Sequence, residues 1–151
     1  MQKFTSFIES IAPIVLRIGM SIVVLWFSVQ QFLHAGVWTA YVPDSAVVLL
    51  HMSAVTLVYM NATLELILGV LLVFGWQTRI VALVLALHLF DIMYVVGYGE
   101  IGVRDFGLAI ATLVVSMNGS DILCVQHKRK SIQIAPTVQP IEHLSIPRKV
   151  I

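Results

Sequence analysis

The feature that most limits what this chain can fold into is a series of long apolar runs broken by very little charge. Residues 13–33, 54–76, 80–98 and 102–117 are each dominated by Leu, Ile, Val and Ala, and short polar or Gly-containing joints separate them. A helix advances about 1.5 Å per residue, so about 20 apolar residues cover the roughly 30 Å hydrocarbon core of a bilayer. Within lipid a segment has to satisfy its own backbone hydrogen bonds, and a helix does so internally. The runs therefore predict an all-α protein, a four-helix transmembrane bundle. Composition agrees, since 59% of the 151 residues are hydrophobic and 11% are charged, whereas soluble domains carry roughly 25% charge.

Residues 1–126 read as one membrane domain. Pro13 suits an early helical position of the first span, because its missing N–H would be unpaired there in any case. The run after Lys3 contains Arg17, continues long and lacks a small-x-small cleavage site, so it reads as a retained helix rather than a secretory signal. Residues 34–53 hold Gly36, Pro43 and Asp44 beside Trp38 and Tyr41, a mixture that predicts a short interfacial segment between helices 1 and 2, anchored by amphipathic rings and able to cap the bundle. The turn Gln77-Thr78-Arg79 makes the second and third spans antiparallel neighbours. The last span ends near Asn118-Gly119 unless Leu123 and Val125 prolong it. Residues 127–151, with Pro136, Pro140 and Pro147 and no sustained apolar period, read as a weakly structured tail.

Orientation follows from lysine and arginine, which are retained on the cytoplasmic side. Lys3, Arg79 and the cluster Lys128, Arg129 and Lys130 fall on one side of the predicted bundle. The 34–53 segment has neither residue type, and Glu100 offsets Arg104 in the other outer turn. The expectation is a multi-pass protein of the cell inner membrane with both termini cytoplasmic, its basic cluster resting on anionic headgroups.

Several function classes are excluded. A formal net charge of +1 and scattered basic residues leave no phosphate-tracking groove, so nucleic acid is not a partner. Cys124 is the single cysteine, which rules out an internal disulfide, a Cys-x-x-Cys pair or a thiolate metal cage, and no metal site is expected. There is no flavin or nicotinamide fingerprint. A b-type haem wants two axial groups at matching depth, yet His34 and His51 lie outside the spans and His88 stands alone.

What remains is a polar stripe. Arg17, Ser21, Ser28 and Gln31 recur at helical intervals in the first span, as do Asn61 and Glu65 in the second and His88, Asp91, Tyr94 and Tyr98 in the third; Asp105, Thr112 and Ser116 continue the pattern in the fourth. Counting helical rise from the cytoplasmic ends places Glu65 at roughly 16 Å, His88 at roughly 13 Å and Asp91 at roughly 18 Å, while Arg17, at roughly 7 Å, would need its long stem to reach Glu65. Ionisable groups at such depth are paired, line a wet cavity or serve function. Arg17 with Glu65 and His88 with Asp91 therefore read either as internal pairs that fix helix register or, with Gln31 and Asn61, as an intramembrane pocket where a carboxylate and an imidazole exchange protons with a bound molecule. Gly69 and Gly75 read as close packing within the bundle, and Trp26, Trp38 and Trp76 as packing or interface anchors.

The sequence Arg17-Ile18-Gly19, followed by Trp26-Phe27-Ser28-Val29-Gln30-Gln31-Phe32, then Glu65-Leu66-Ile67-Leu68-Gly69 and Gly75-Trp76-Gln77-Thr78-Arg79, resembles the DoxX-like family of small four-helix membrane proteins over about residues 12–118. Many relatives carry a lysine near the position of Gln31, where this chain has a neutral amide. The resemblance implies an accessory subunit of a quinone-linked redox or oxidative-stress assembly, not catalytic alone, with quinone as the cofactor and a protein partner or second copy beside the lipid bilayer. Two other readings of the residues stand beside it: a non-enzymatic membrane scaffold or chaperone-like partner, and a small proton-coupled carrier, which four helices without visible inverted repeats favour less.

Overall fold

The computed structural model describes residues 2–97, 99–119, 121, 123 and 124. Tyr98, the basic cluster at 128–130 and the 127–151 tail lie outside the described residues. Helix α1 runs over Gln2–Leu33, so Pro13 sits inside it rather than at its start. The helix does not stop there because a proline forfeits only its own N–H bond and the apolar run continues on both sides. The stretch Phe7–Leu33 is 27 residues long, about 40 Å of helix, so part of α1 projects beyond a hydrocarbon core.

The 34–53 connection is built of short turns: α2 (Ala35–Trp38), a 3-10 turn (Thr39–Tyr41) and α3 (Asp44–Leu50). Pro43 enters α3 in an extended conformation and Asp44 occupies its first turn, where a carboxylate is favoured by the helix dipole. Helix α4 (Ala54–Phe74) opens on Ser53, whose hydroxyl accepts from the Thr56 N–H at 3.2 Å. It closes on Gly75 at φ 66°, with the Trp76 N–H returning to the Leu71 carbonyl at 3.1 Å. Helix α5 (Thr78–Val96) follows after Gln77, and α6 (Glu100–Asn118) after Gly99.

Helix α1 packs chiefly along α4 and α5 along α6, and the pairs meet through α1/α6 and α4/α5. Between them lies a core of Met20, Val24, Leu68, Leu72, Leu85, Leu89 and Val115 with Ala82 and Ala109. Gly69 lets α1 approach α4, since a Cβ there would stand 2.9 Å from Leu25 Cδ2. The outward face is as apolar as the core, with Val15, Ile22, Ile67, Ile80, Leu87 and Val103 all exposed. A surface of that kind suits lipid rather than water.

By length and composition, Phe7–Leu33, Ala54–Phe74 and Thr78–Val96 are suited to cross a membrane. The predicted fourth span corresponds to α6, which is 19 residues long and carries Glu100, Arg104 and Asp105 toward one end.

Candidate functional site

The polar stripes of the helices separate into two sites at opposite ends of the bundle. The first surrounds a cavity of about 450 Å³, lined among others by Gln31, Asn61, Glu65, His88 and Asp91. Ser28, one turn before Gln31, donates to the Ala62 carbonyl at 2.8 Å and fixes α1 against α4 at this level. Gln31 Nε2 then donates to Glu65 Oε2 at 2.7 Å. Asn61, one turn before Glu65, donates to Gln31 Oε1 at 2.8 Å and to Glu65 Oε1 at 3.1 Å. The three side chains close a ring of hydrogen bonds, so both Glu65 oxygens are held in one orientation.

His88 approaches from α5. Its Nε2 lies 3.9 Å from Glu65 Oε1, too far for a hydrogen bond. That nitrogen is buried and has no hydrogen-bond partner among the described residues. An imidazole nitrogen is costly to bury in this state, which singles it out among the polar atoms that line the cavity. Asp91 is exposed and lines the same cavity. It does not pair with His88: three helical residues turn the two side chains about 60° apart, and His88 faces inward to Glu65. Helix α6 adds Arg104 and Asp105, joined at 2.8 Å, with the Arg104 guanidinium 4.4 Å above the Phe27 ring. Arg104 thus pairs with its neighbour Asp105 rather than with Glu100.

Arg17 belongs to the other site. Its Nε donates to Asp121 Oδ2 at 2.7 Å and Nη2 to Oδ1 at 3.3 Å, while Nη1 reaches the carbonyls of Leu72 and Val73 at 2.6 Å each. The expected Arg17–Glu65 pair is not formed. The carbonyls at the end of α4 have acceptor capacity to spare, Leu72 taking one further donor from the Gly75 N–H at 3.1 Å, and they lie at the depth of Arg17, whereas Glu65 is roughly 10 Å further along the helix. Burial works to raise the Asp121 carboxyl, but donors from Arg17 and the Leu123 backbone outweigh it and hold it below the ordinary aspartate range.

Around this clasp Gly119, Asp121 and Cys124 lie against the end of the bundle. Cys124 is fully buried and sits 3.3 Å from Thr78 Oγ1. It occupies the space beside Gly75 that any side chain there would fill. Ser116 donates to the Arg79 carbonyl at 2.8 Å, and Gly119 is packed against the Arg79 guanidinium.

Five of the six residues expected to form an intramembrane pocket thus line one cavity, and Arg17 does not. Arg104 and Asp105 complete the cavity, and Asp121 completes the clasp. Asp121 follows a Gly-containing turn among apolar residues, and its one signal in the sequence is that it returns to the level of Arg17. Among the described residues no group of three or more His, Cys, Asp or Glu side chains is arranged to hold a metal ion. A family model described as DoxX matches residues 12–98. No curated protein and no solved structure matches.

Proposed function

Because the chain belongs to the DoxX family and carries helices suited to cross a bilayer, we propose that this membrane protein is an accessory subunit of a quinone-linked redox or oxidative-stress assembly. In this reading α6 is a fourth crossing: it packs along α5, and its 19 residues extend about 28 Å. The cavity end then faces outward. The clasp end, with Arg79, faces the cytoplasm of an inner-membrane protein whose two termini share that side.

The observation that carries the proposal is the buried His88 Nε2, without a partner among the described residues, facing Glu65 in the cavity. A volume of about 450 Å³ falls within the roughly 300–1,000 Å³ of small-molecule sites. The walls are largely aliphatic, with Val24, Leu89, Ile92 and Leu108, as a flat apolar ring requires. A bound quinone supplies two-electron, two-proton chemistry. With its proton on Nε2, His88 would donate to a ring carbonyl oxygen, and Glu65 would hold or release a proton beside it, with Gln31 and Asn61 keeping its carboxyl group in place. The chain has no electron-carrying motif of its own, so the electrons are assigned to a partner subunit.

Purification in mild detergent, followed by solvent extraction and quinone analysis, tests this. Stoichiometric quinone is expected in the parent and its loss in folded Glu65→Gln and His88→Ala variants. The closed Gln31–Asn61–Glu65 ring favours a second reading, a membrane scaffold whose polar groups only specify packing. An empty parent whose variants merely unfold would sink the redox reading in favour of the scaffold, and the proteins that copurify would then define its role.

A further inference from the structure

The cavity around Glu65 and His88 has walls of two kinds. Toward α2 and the turn after it the cavity is lined by the rings of Phe27, Trp38 and Tyr41, with Ala46 and Leu50 of α3 beyond them. Trp26 meets Phe27 edge to face with centroids 5.0 Å apart, Phe27 meets Trp38 in the same way at 6.0 Å, and Trp38 lies 6.0 Å from Tyr41. Arg104 rests on this roof over Phe27 and is pinned by Asp105. Edge-to-face rings and a stacked guanidinium resist the rearrangement that entry from water would need.

The seam between α4 and α5 is built differently. A short joint ties these helices at the Gly75 end, and the residues they give to the cavity come from the halves remote from it: Leu57, Met60 and Leu64 on α4, and Ile92, Val95 and Val96 on α5. Helix α4 engages α5 far less than it engages α1. Met60, Leu64 and Val95 are 53%, 40% and 44% exposed, so side chains that line the cavity also form the surface that lipid covers. Asp91 stands on the same wall, a polar neighbour for a head group that carries hydrogen-bonding atoms.

We infer that the cavity is entered sideways from the bilayer, between α4 and α5, by a molecule with a polar ring head and a long hydrocarbon chain. The head lies under the aromatic roof beside His88 Nε2, and the chain occupies the seam against Met60, Leu64 and Val95. This rests on the quinone reading and deepens it, because it assigns the affinity to the chain as well as the head. In lipid the chain gains nothing from leaving water, so its contribution is close packing against the seam, which tethers the ring beside the cavity and holds it more tightly than the bare ring at equal concentration in the bilayer.

The test measures binding of an isoprenoid-tailed quinone and of the same ring without its chain. The protein is reconstituted in nanodiscs, as the parent and as Leu64→Trp and Val95→Trp variants whose folding is checked by gel filtration and thermal unfolding. With both ligands referred to their concentration in the lipid, the parent is expected to hold the tailed ring at least about tenfold more tightly, and the Trp variants to lose that advantage while still binding the bare ring. A tailed quinone with a photoreactive group at the chain end gives a second measurement that needs no variant, and is expected to label α4 and α5 along the seam. Equal affinity for both rings in the parent, unaltered discrimination in the variants, or labelling confined to residues 35–50 would overturn sideways entry and leave the quinone site standing. Failure of the parent to bind either ring would remove the site reading and this inference with it.

Discussion

Arg17 is 1% exposed and serves three acceptors, the Asp121 carboxylate and the carbonyls of Leu72 and Val73. Arg17→Ala would strand a partly buried carboxylate and the Val73 carbonyl, Leu72 keeping the Gly75 N–H at 3.1 Å, and is expected to cost about 3–5 kcal/mol of stability, read as a lower melting temperature in detergent. Arg17→Lys should recover only part of this, since an ammonium cannot span acceptors in a planar fork. Asp121 adds a pH dependence. Its folded-state carboxyl is held below the ordinary value of 3.8, so its contribution is fully present above that value and drains away as pH falls through the lower folded one. Asp121→Asn should abolish this acid limb while lowering stability at neutral pH, as thermal melts across the acid range would show. Gln31, Asn61, Glu65, His88 and Asp91 were legible in the sequence because polar groups are rare in such runs and helical spacing reveals a shared face. The partner of Arg17 was not, because it lies 104 residues away in a turn whose path no periodicity encodes.

At the scale of elements, the turn closing α4 depends on Gly75 for two separate reasons. Its φ of 66° is a conformation that side chains rarely adopt, and the space a Cβ would need is occupied by Cys124. Gly75→Ala should therefore destabilise by more than the roughly 1–2 kcal/mol of left-handed strain alone. Gly107, in α6 with nothing near its missing Cβ, is the control: Gly107→Ala should be neutral or gain up to about 1 kcal/mol. Melting temperatures of the two variants, side by side, check both expectations. The helices were legible from their apolar runs, but α1 began eleven residues before Pro13, since an interior proline removes one hydrogen bond without ending a helix that packing supports. The aromatic bridge from Trp26 to Tyr41 could be anticipated only as interface anchors, because rings on α1 and on the following turns meet through tertiary packing.

For the molecule as a whole, the polar groups divide into a closed clasp at one end and, at the other, a cavity where the His88 Nε2 has no partner among the described residues. If α6 is a fourth crossing, reporters fused after residue 77 and after residue 124 report the same side of the membrane, and a reporter within residues 44–51 reports the opposite one. Reporters at 77 and 124 on opposite sides would leave three crossings. Alkaline washing is expected to leave the chain in the membrane pellet. The all-α architecture followed from hydropathy alone, while the division of labour between the two ends did not, because both draw on the same stripe of residues. The seal over Cys124 has a practical corollary. A thiol with no accessible surface can be alkylated only while Cys124 is lifted away from Gly75 and Thr78, so the labelling rate of the unmodified protein counts those excursions. Weakening the grip on Asp121, as in Arg17→Lys, should speed the reaction without any introduced probe, making the native cysteine a clock for how often the clasp comes undone.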